Sequence, residues 1–500
     1  MNKKIQPLLK PTVTALSALV PLSAIAAASQ SDSLQSQSFR PNIIYVVTHD
    51  LGQFLGTYGA RVETPELDRF AASGATLLNT FAVTAGCTPS RVSVMTGRFP
   101  HKHGVVGTGA GWYLDRREKT IVNYLNDAGY LTAHAGFQHE RHMPGYQAGN
   151  QDYDNPNSYQ HDARRINGFP GILAENVVDD AIHWLKTRDP EDKRPFYFNI
   201  GIQETHASTF RGRLAEENKR SEVYGVDDPA TVWVPDCMPD NAETREYFSK
   251  MWPCVRHLDR EFGRLVRAVD EAGLADNTIF IFTTDHGIFG SRHKMTVFDS
   301  GLEIATLIRW PGRIEAGSRP DALISNLDIT PTLLEAAGVP LPEILDGRSF
   351  LPLLTGNDYE PSGMLFLEYH YHTKYDPVRA IRTPDYLYIR NFHPDAKYRY
   401  TPPEILAMPS PQRDEWPNNR VLGNMPFDHP SLKDWPARPR EQLYDLRRDP
   451  LQFTDVAREP AYAQTLADLS KSLDDWMLKH DDPLLHGDIP DARASNSKVE

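Results

Sequence analysis

The stretch Gly86–Arg98, GCTPSRVSVMTGR, sets a cysteine close to an arginine at the start of a helical run. Pro89 suits a first helical turn, where its missing N–H is not needed. Arg91 and the free backbone N–H groups of that turn make an anion site. Cys87 faces it, and a thiol in such surroundings is expected to be activated and open to oxidation. Two further segments carry chemistry: His49-Asp50 and Asp285-His286-Gly287, each directly following an apolar, β-rich run. Carboxylates and neighbouring oxygens at two strand ends suit a hard divalent cation such as Ca2+ or Mg2+.

The elements that must position these groups are legible. NIIYVV (Asn42–Val47) and NTIFIFTT (Asn277–Thr284) read as strands buried on both faces of a mainly parallel sheet. Ligands of open α/β sheets bind beyond the carboxyl ends of such strands. Leu258, Phe262, Leu265 and Val269 recur at helical spacing, and Gly273 closes that helix. After about residue 360 the pattern changes. MLFLEYHY and YLYIRNF read as antiparallel strands, 401–439 as a long Pro-rich loop, and Leu466, Leu469, Leu473 and Trp476 as one face of a last helix. The expected organisation is a leader over 1–28, a catalytic domain over 40–357 and a smaller α+β domain over 358–490.

Residues 1–28 combine Lys3, Lys4 and Lys10 with an apolar run and an A-x-A stretch, as a secretory leader does; a membrane anchor is the alternative, disfavoured by the short run broken at Pro21. The expected location is secreted or periplasmic, with no membrane engagement once the leader is gone. The 53 basic and 66 acidic residues give −13, which loss of the three leader lysines deepens to −16, a balance that argues against non-specific nucleic-acid binding. Of three cysteines, Cys237 and Cys254 are close enough in sequence to pair, which spacing alone does not decide, and Cys87 is left over.

C-T-P-S-R followed by MTGR resembles the signature of the type I sulfatases. The resemblance runs from PNIIYVVTHDLG through NTIFIFTTDHG to EQLYDLRRDP, and around LYDLRRDP and DDWMLKHDDP it is similar to the heparan N-sulfatase (sulfamidase) branch. It implies an α/β, alkaline-phosphatase-like sulfatase fold: a large, mainly parallel central sheet flanked by helices, and a smaller C-terminal α+β domain with an antiparallel sheet. It implies that a formylglycine-generating enzyme converts Cys87 to formylglycine, whose hydrated aldehyde is the nucleophile. It implies Asp50, Asp285 and His286 as metal ligands, with residue 87 completing the shell through an oxygen. Arg91 and Lys294 match groups that hold sulfuryl oxygens, and His139 and His206 fall near the family's G-K-x-H and P-H positions; His206 or Lys294 would protonate the leaving group. Two departures stand out. His49 replaces an aspartate, which keeps His49 as a candidate ligand and leaves Mg2+ or a transition metal open beside the expected Ca2+. Phe137 replaces a lysine, with Arg141 and His142 the nearest substitutes.

Aromatic and histidine density in LEYHYHTKYDPVR (Leu367–Arg379) marks sugar contact, with His370, His372 and Arg379 as substrate-binding candidates and Lys374 as a second cation; an ordinary β-strand with an exposed polar face is the alternative. The expected activity is hydrolysis of O-sulfate esters in a sulfated polysaccharide or its oligosaccharides. The alternatives are an N-sulfoglucosamine sulfohydrolase, a phosphodiesterase or phosphonate hydrolase on the same scaffold, and an inactive glycan-binding homologue.

Overall fold

The structure, a computed structural model, describes residues 40–108, 112–115, 117–139, 159–163, 169–207, 209, 220–290, 292–372, 375–394 and 439–492. The expected leader, Arg141, His142, Lys374 and nearly all of the Pro-rich 401–439 segment lie outside these residues. From Pro41 onward the chain forms one compact unit.

Seven strands make the large sheet: β1 (Asn42–Thr48), β2 (Ala75–Thr76), β4 (Leu131–Gly136), β5 (His161–Asp162), β6 (Phe196–Gly201), β7 (Thr278–Thr284) and β8 (Thr306–Arg309), in the order β2-β8-β7-β1-β6-β4-β5. β7, β1, β6, β4 and β5 run parallel; β8 alone reverses, and β2, antiparallel to β8, runs with the rest. A short pair, β3 (Asn79–Phe81) and β9 (Leu323–Ser325), lies outside it.

The continuous apolar run of β1 is explained by what covers it. Ile44 and Val46 enter a core with Leu258, Phe262, Leu265 and Val269 of the helix Ala242–Glu271. Ile43, Tyr45 and Val47 enter another with Val94 and Met95 of the helix Cys87–Thr96 and Leu333 and Leu334 of the helix Ile329–Ala336. Every β1 residue is therefore buried, as a strand with helices on both faces must be. Phe262 packs edge-on against Phe70 at 5.1 Å and Phe282 at 5.0 Å, so truncation to alanine would cost about 3–5 kcal/mol.

The second sheet is antiparallel, β10 (Leu365–Tyr371), β11 (Tyr375–Arg382), β12 (Tyr386–Asn391) and β13 (Glu441–Asp445), in that order. The two expected strands correspond to β10 and β12. They are not neighbours, because β11 lies between them, in the stretch that reads as sugar contact with an ordinary strand as the alternative. One face of this sheet meets Phe81, Val297, Phe298 and Leu302, from segments flanking the candidate site. The other meets Leu469, Leu473 and Trp476 of the helix Ala463–Lys479. The change near residue 358 is thus a change of layer within one packed unit.

Candidate active site

Four neighbouring parallel strands deliver the candidate residues from their carboxyl ends: β7 leads to Asp285 and His286, β1 to His49 and Asp50, β6 to His206 and β4 to Phe137 and His139. Asp50 takes a left-handed backbone (φ 47°), which aspartate tolerates, and its N–H donates to Asp285 Oδ1 at 3.0 Å. Cys87 is the first residue of a helix buried along its whole length. Its Sγ lies 3.2 Å from His286 Nε2 and 4.0 Å from Asp50 Oδ1.

Each charge here has a partner. Lys294 Nζ donates to both Asp50 oxygens at 3.0 and 2.9 Å. Arg91 donates through Nε to Asp285 Oδ2 at 3.0 Å and through Nη2 to the Thr48 carbonyl at 3.1 Å, and its guanidinium lies 5.1 Å from the Phe137 ring centroid. Arg91 thus orients a carboxylate. His49 Nδ1 sits 3.0 Å from Asp50 Oδ1 and 3.1 Å from Asp285 Oδ2; facing only acceptors, it carries the proton. His286 Nδ1 faces the Gly287 carbonyl at 2.9 Å, which leaves the Nε2 lone pair toward Cys87 and Asp50.

Burial would raise both carboxyls, but the Lys294 ammonium holds Asp50 well below the usual range, and the Arg91 guanidinium with the His49 N–H holds Asp285 low. Burial lowers His49, and it lowers His206 strongly and His139 to about 3, so these imidazoles are neutral. Burial, with Asp50 and Asp285 nearby, pushes the Cys87 thiol up to about 12 despite Lys294. The expectation of an activated thiol is therefore corrected. Burial outweighs the Lys294 charge, and an unmodified cysteine here is a poor nucleophile at neutral pH.

The donor set fits a divalent cation. His49, Asp50, Cys87 and Asp285 each bring a ligand atom within 4.8 Å of the others, and His286 Nε2 adds a lone pair 3.5 Å from Asp50 Oδ1. Two ionised oxygen donors favour a hard ion. His49 serves as a donor to both carboxylates while Nδ1 is protonated, and its Nε2 has no partner among the described residues.

The structure brings Asp50, Cys87, Arg91, Asp285, His286, Lys294 and His49 together, with His206 Nε2 4.0 Å from Asp50 Oδ2 and the His139 ring 6.2 Å from that of His49. The substrate-binding trio is different. Arg379 is fully buried and donates from Nε and Nη2 to Asp482 at 2.6 and 2.8 Å; His370 is buried 3.3 Å from Glu368, and His372 is buried too. None offers surface to a sugar, because β11 turns this stretch into the interior of a sheet. Cys237 and Cys254 are free thiols, Cys254 on the buried face of the helix Ala242–Glu271 and Cys237 3.3 Å from His293 Nε2.

Sequence reading left some supporting residues without roles. Ser90 Oγ donates to the Asp285 carbonyl at 2.6 Å and accepts from Asn326 Nδ2 at 3.0 Å. Thr205 Oγ1 contacts the His49 and Asp50 carbonyls at 3.1 and 3.2 Å. Ser90 carried a signal, its place in C-T-P-S-R; Asn326 and Thr205 carried none.

A family model described as Sulfatase matches residues 41–339, and one described as N-sulphoglucosamine sulphohydrolase, C-terminal, matches 284–400. An ulvan-active sulfatase of Formosa agariphila is 29% identical over 91% of this chain and 84% of its own length. The human N-sulphoglucosamine sulphohydrolase is 24% identical over 88% of this chain and 91% of its own. A solved structure in complex with its substrate D-glucosamine-2-N,6-O-disulfate superposes with a TM-score of 0.65 at 21% identity, covering 89% of this chain and 99% of the other.

Proposed function

The chain belongs to the sulfatase family of sulfuric ester hydrolases, and from that premise we propose that it is an exported enzyme hydrolysing O-sulfate esters of a sulfated polysaccharide or its oligosaccharides. One observation carries the reading: Cys87 heads a buried helix with its Sγ 3.2 Å from His286 Nε2, among Asp50, Asp285, Lys294 and Arg91. The C-T-P-S-R motif supports conversion of Cys87 by a formylglycine-generating enzyme. When present, formylglycine supplies a hydrated aldehyde as nucleophile, and a divalent ion, Ca2+ first, held by Asp50, Asp285 and His286 neutralises sulfuryl charge.

The chain's own residues do the rest. Arg91 and Ser90 fix Asp285, from its carboxylate and its carbonyl. Lys294 is the cation nearest Asp50 and the group for the sulfuryl oxygens. His206 or Lys294 protonates the leaving oxygen; His206, 24% exposed at its side chain, has access to solvent. Phe137 and His49 replace a lysine and an aspartate beside the reacting group, and changes at that distance govern specificity most strongly. They favour an O-sulfate substrate over the N-sulfate of the sulfamidase branch, whose C-terminal family match keeps N-sulfoglucosamine as the second reading. The test is sulfate release from a panel of O- and N-sulfated sugars, after mass spectrometry confirms conversion at position 87. Desulfation of N-sulfoglucosamine alone would reverse the choice.

A further inference from the structure

A cavity of about 310 Å³ lies between the turn after β1, the segment Trp233–Cys237, the short helix Asp299–Leu302 and the turn at 450–452. Asp50, Cys87, His206 and Lys294 do not line it. Its link to the active site is Cys237, which contacts His293, the neighbour of Lys294.

Two kinds of surface meet there. Phe54 and Trp233 supply aromatic rings, and Trp233 is held by stacking on Trp252 at 5.4 Å. Glu303 and the exposed Asp236 supply carboxyls, and no lysine or arginine lines the cavity. A third carboxylate, Asp299, is taken by Arg382 at 2.9 Å. Glu303 has no hydrogen bond or ion pair at its carboxyl among the described residues; burial with Asp299 alongside pushes it up to about 8 against the pull of Arg382, so at neutral pH it ionises when a cation joins it. Gln452, 2% exposed, accepts from the Asp299 N–H through Oε1 at 3.0 Å, while its Nε2 has no partner among the described residues. The cavity thus combines a carboxyl with no cation bonded to it, a donor without an acceptor, and rigid ring surface.

We propose that this cavity is a second ligand site that takes a small hydroxylated amine. The ammonium pairs with Glu303 and lies against the aromatic rings, a hydroxyl oxygen accepts from Gln452, and the carbon frame packs on Trp233. The sign of the lining excludes a sulfated or otherwise anionic ligand. The volume, at the low end for ligand pockets, suits a single sugar-sized molecule.

Calorimetric titration of the full chain in saturating inorganic sulfate, with glucosamine, 2-aminoethanol and glucose as probes, tests this. Both amines are expected to bind, with glucose about ten-fold weaker or worse for want of the charge. Glu303→Gln should weaken glucosamine about ten-fold without changing the rate of sulfate release. If that variant folds poorly, Asp236→Asn on the exposed rim should still weaken the amines several-fold. Equal binding of glucose and glucosamine, undiminished glucosamine binding in a folded Glu303→Gln or Asp236→Asn protein, or no amine binding at tens of millimolar would overturn the proposal.

Discussion

Arg379→Met separates a structural arginine from a substrate-binding one. Arg379 donates to Asp482 at 2.6 and 2.8 Å, lies 3.5 Å from Glu368, and is wholly buried with both carboxylates. Methionine preserves much of the stem but strands the Asp482 carboxylate, whose remaining hydrogen bond is from the Leu484 N–H at 3.0 Å. Breaking a buried pair from one side costs about 3–5 kcal/mol. With an unfolding entropy near 2.1 cal/mol/K per residue, a unit of roughly 450 residues loses about 1 °C of Tm per kcal/mol, so the expected drop is about 3–5 °C. Glu368 is less affected, because His101 Nδ1 lies 2.8 Å from it. Replacing both partners, Arg379→Met with Asp482→Leu, should recover much of the loss, since no buried charge is then unpaired. Calorimetry gives Tm and steady-state sulfate release gives KM. An Arg379→Met protein with unchanged Tm and a KM raised several-fold would refute the buried-pair account and return Arg379 to the substrate.

Cys87→Ala and Cys87→Ser should each lose nearly all sulfate release with Tm within a few degrees of the parent; turnover at a normal rate in Cys87→Ala would rule out the proposed nucleophile. EDTA should abolish activity and a divalent ion restore it, and His49→Asp should shift a metal-by-metal activity series toward Ca2+ if His49 is a ligand; an unchanged series would leave His49 as the donor that steadies Asp50 and Asp285. Burial lowers His103 from 6.5 to about 3, so the unfolded chain takes up the proton first. That contribution is complete above pH 6.5 and is lost as pH falls toward 3, by about 1.4 kcal/mol per pH unit. Denaturant titrations at pH 7 and 5 should therefore show a slope that His103→Gln flattens, and an equal slope in the variant would place the proton elsewhere.

Local pattern carried much of the fold. Continuous apolar runs read as doubly covered strands became β1 and β7, displaced by one residue at an end, and the spacing of Leu258, Phe262, Leu265 and Val269 marked the buried face of a helix that extends back to Ala242. These signals survive because strand and helix periodicities are written in neighbouring residues. β11 stood only as the alternative to sugar contact, because its opening, Tyr375-Asp-Pro, carries turn residues; its pairing with both β10 and β12 overrides that local preference.

By itself, then, the sequence determined the strands that end in Asp50 and Asp285, the helix that begins at Cys87, and the family signature carried by C-T-P-S-R. Only the tertiary structure decided where each charge goes. Arg91 meets Asp285 across 194 residues, Lys294 meets Asp50 across 244, and Arg379 meets Asp482 across 103. A charged side chain is equally at home in water, in a site or in a buried pair. Which of these it adopts depends on the cost of desolvation against the partner that chain topology brings to it, and no local window contains that partner.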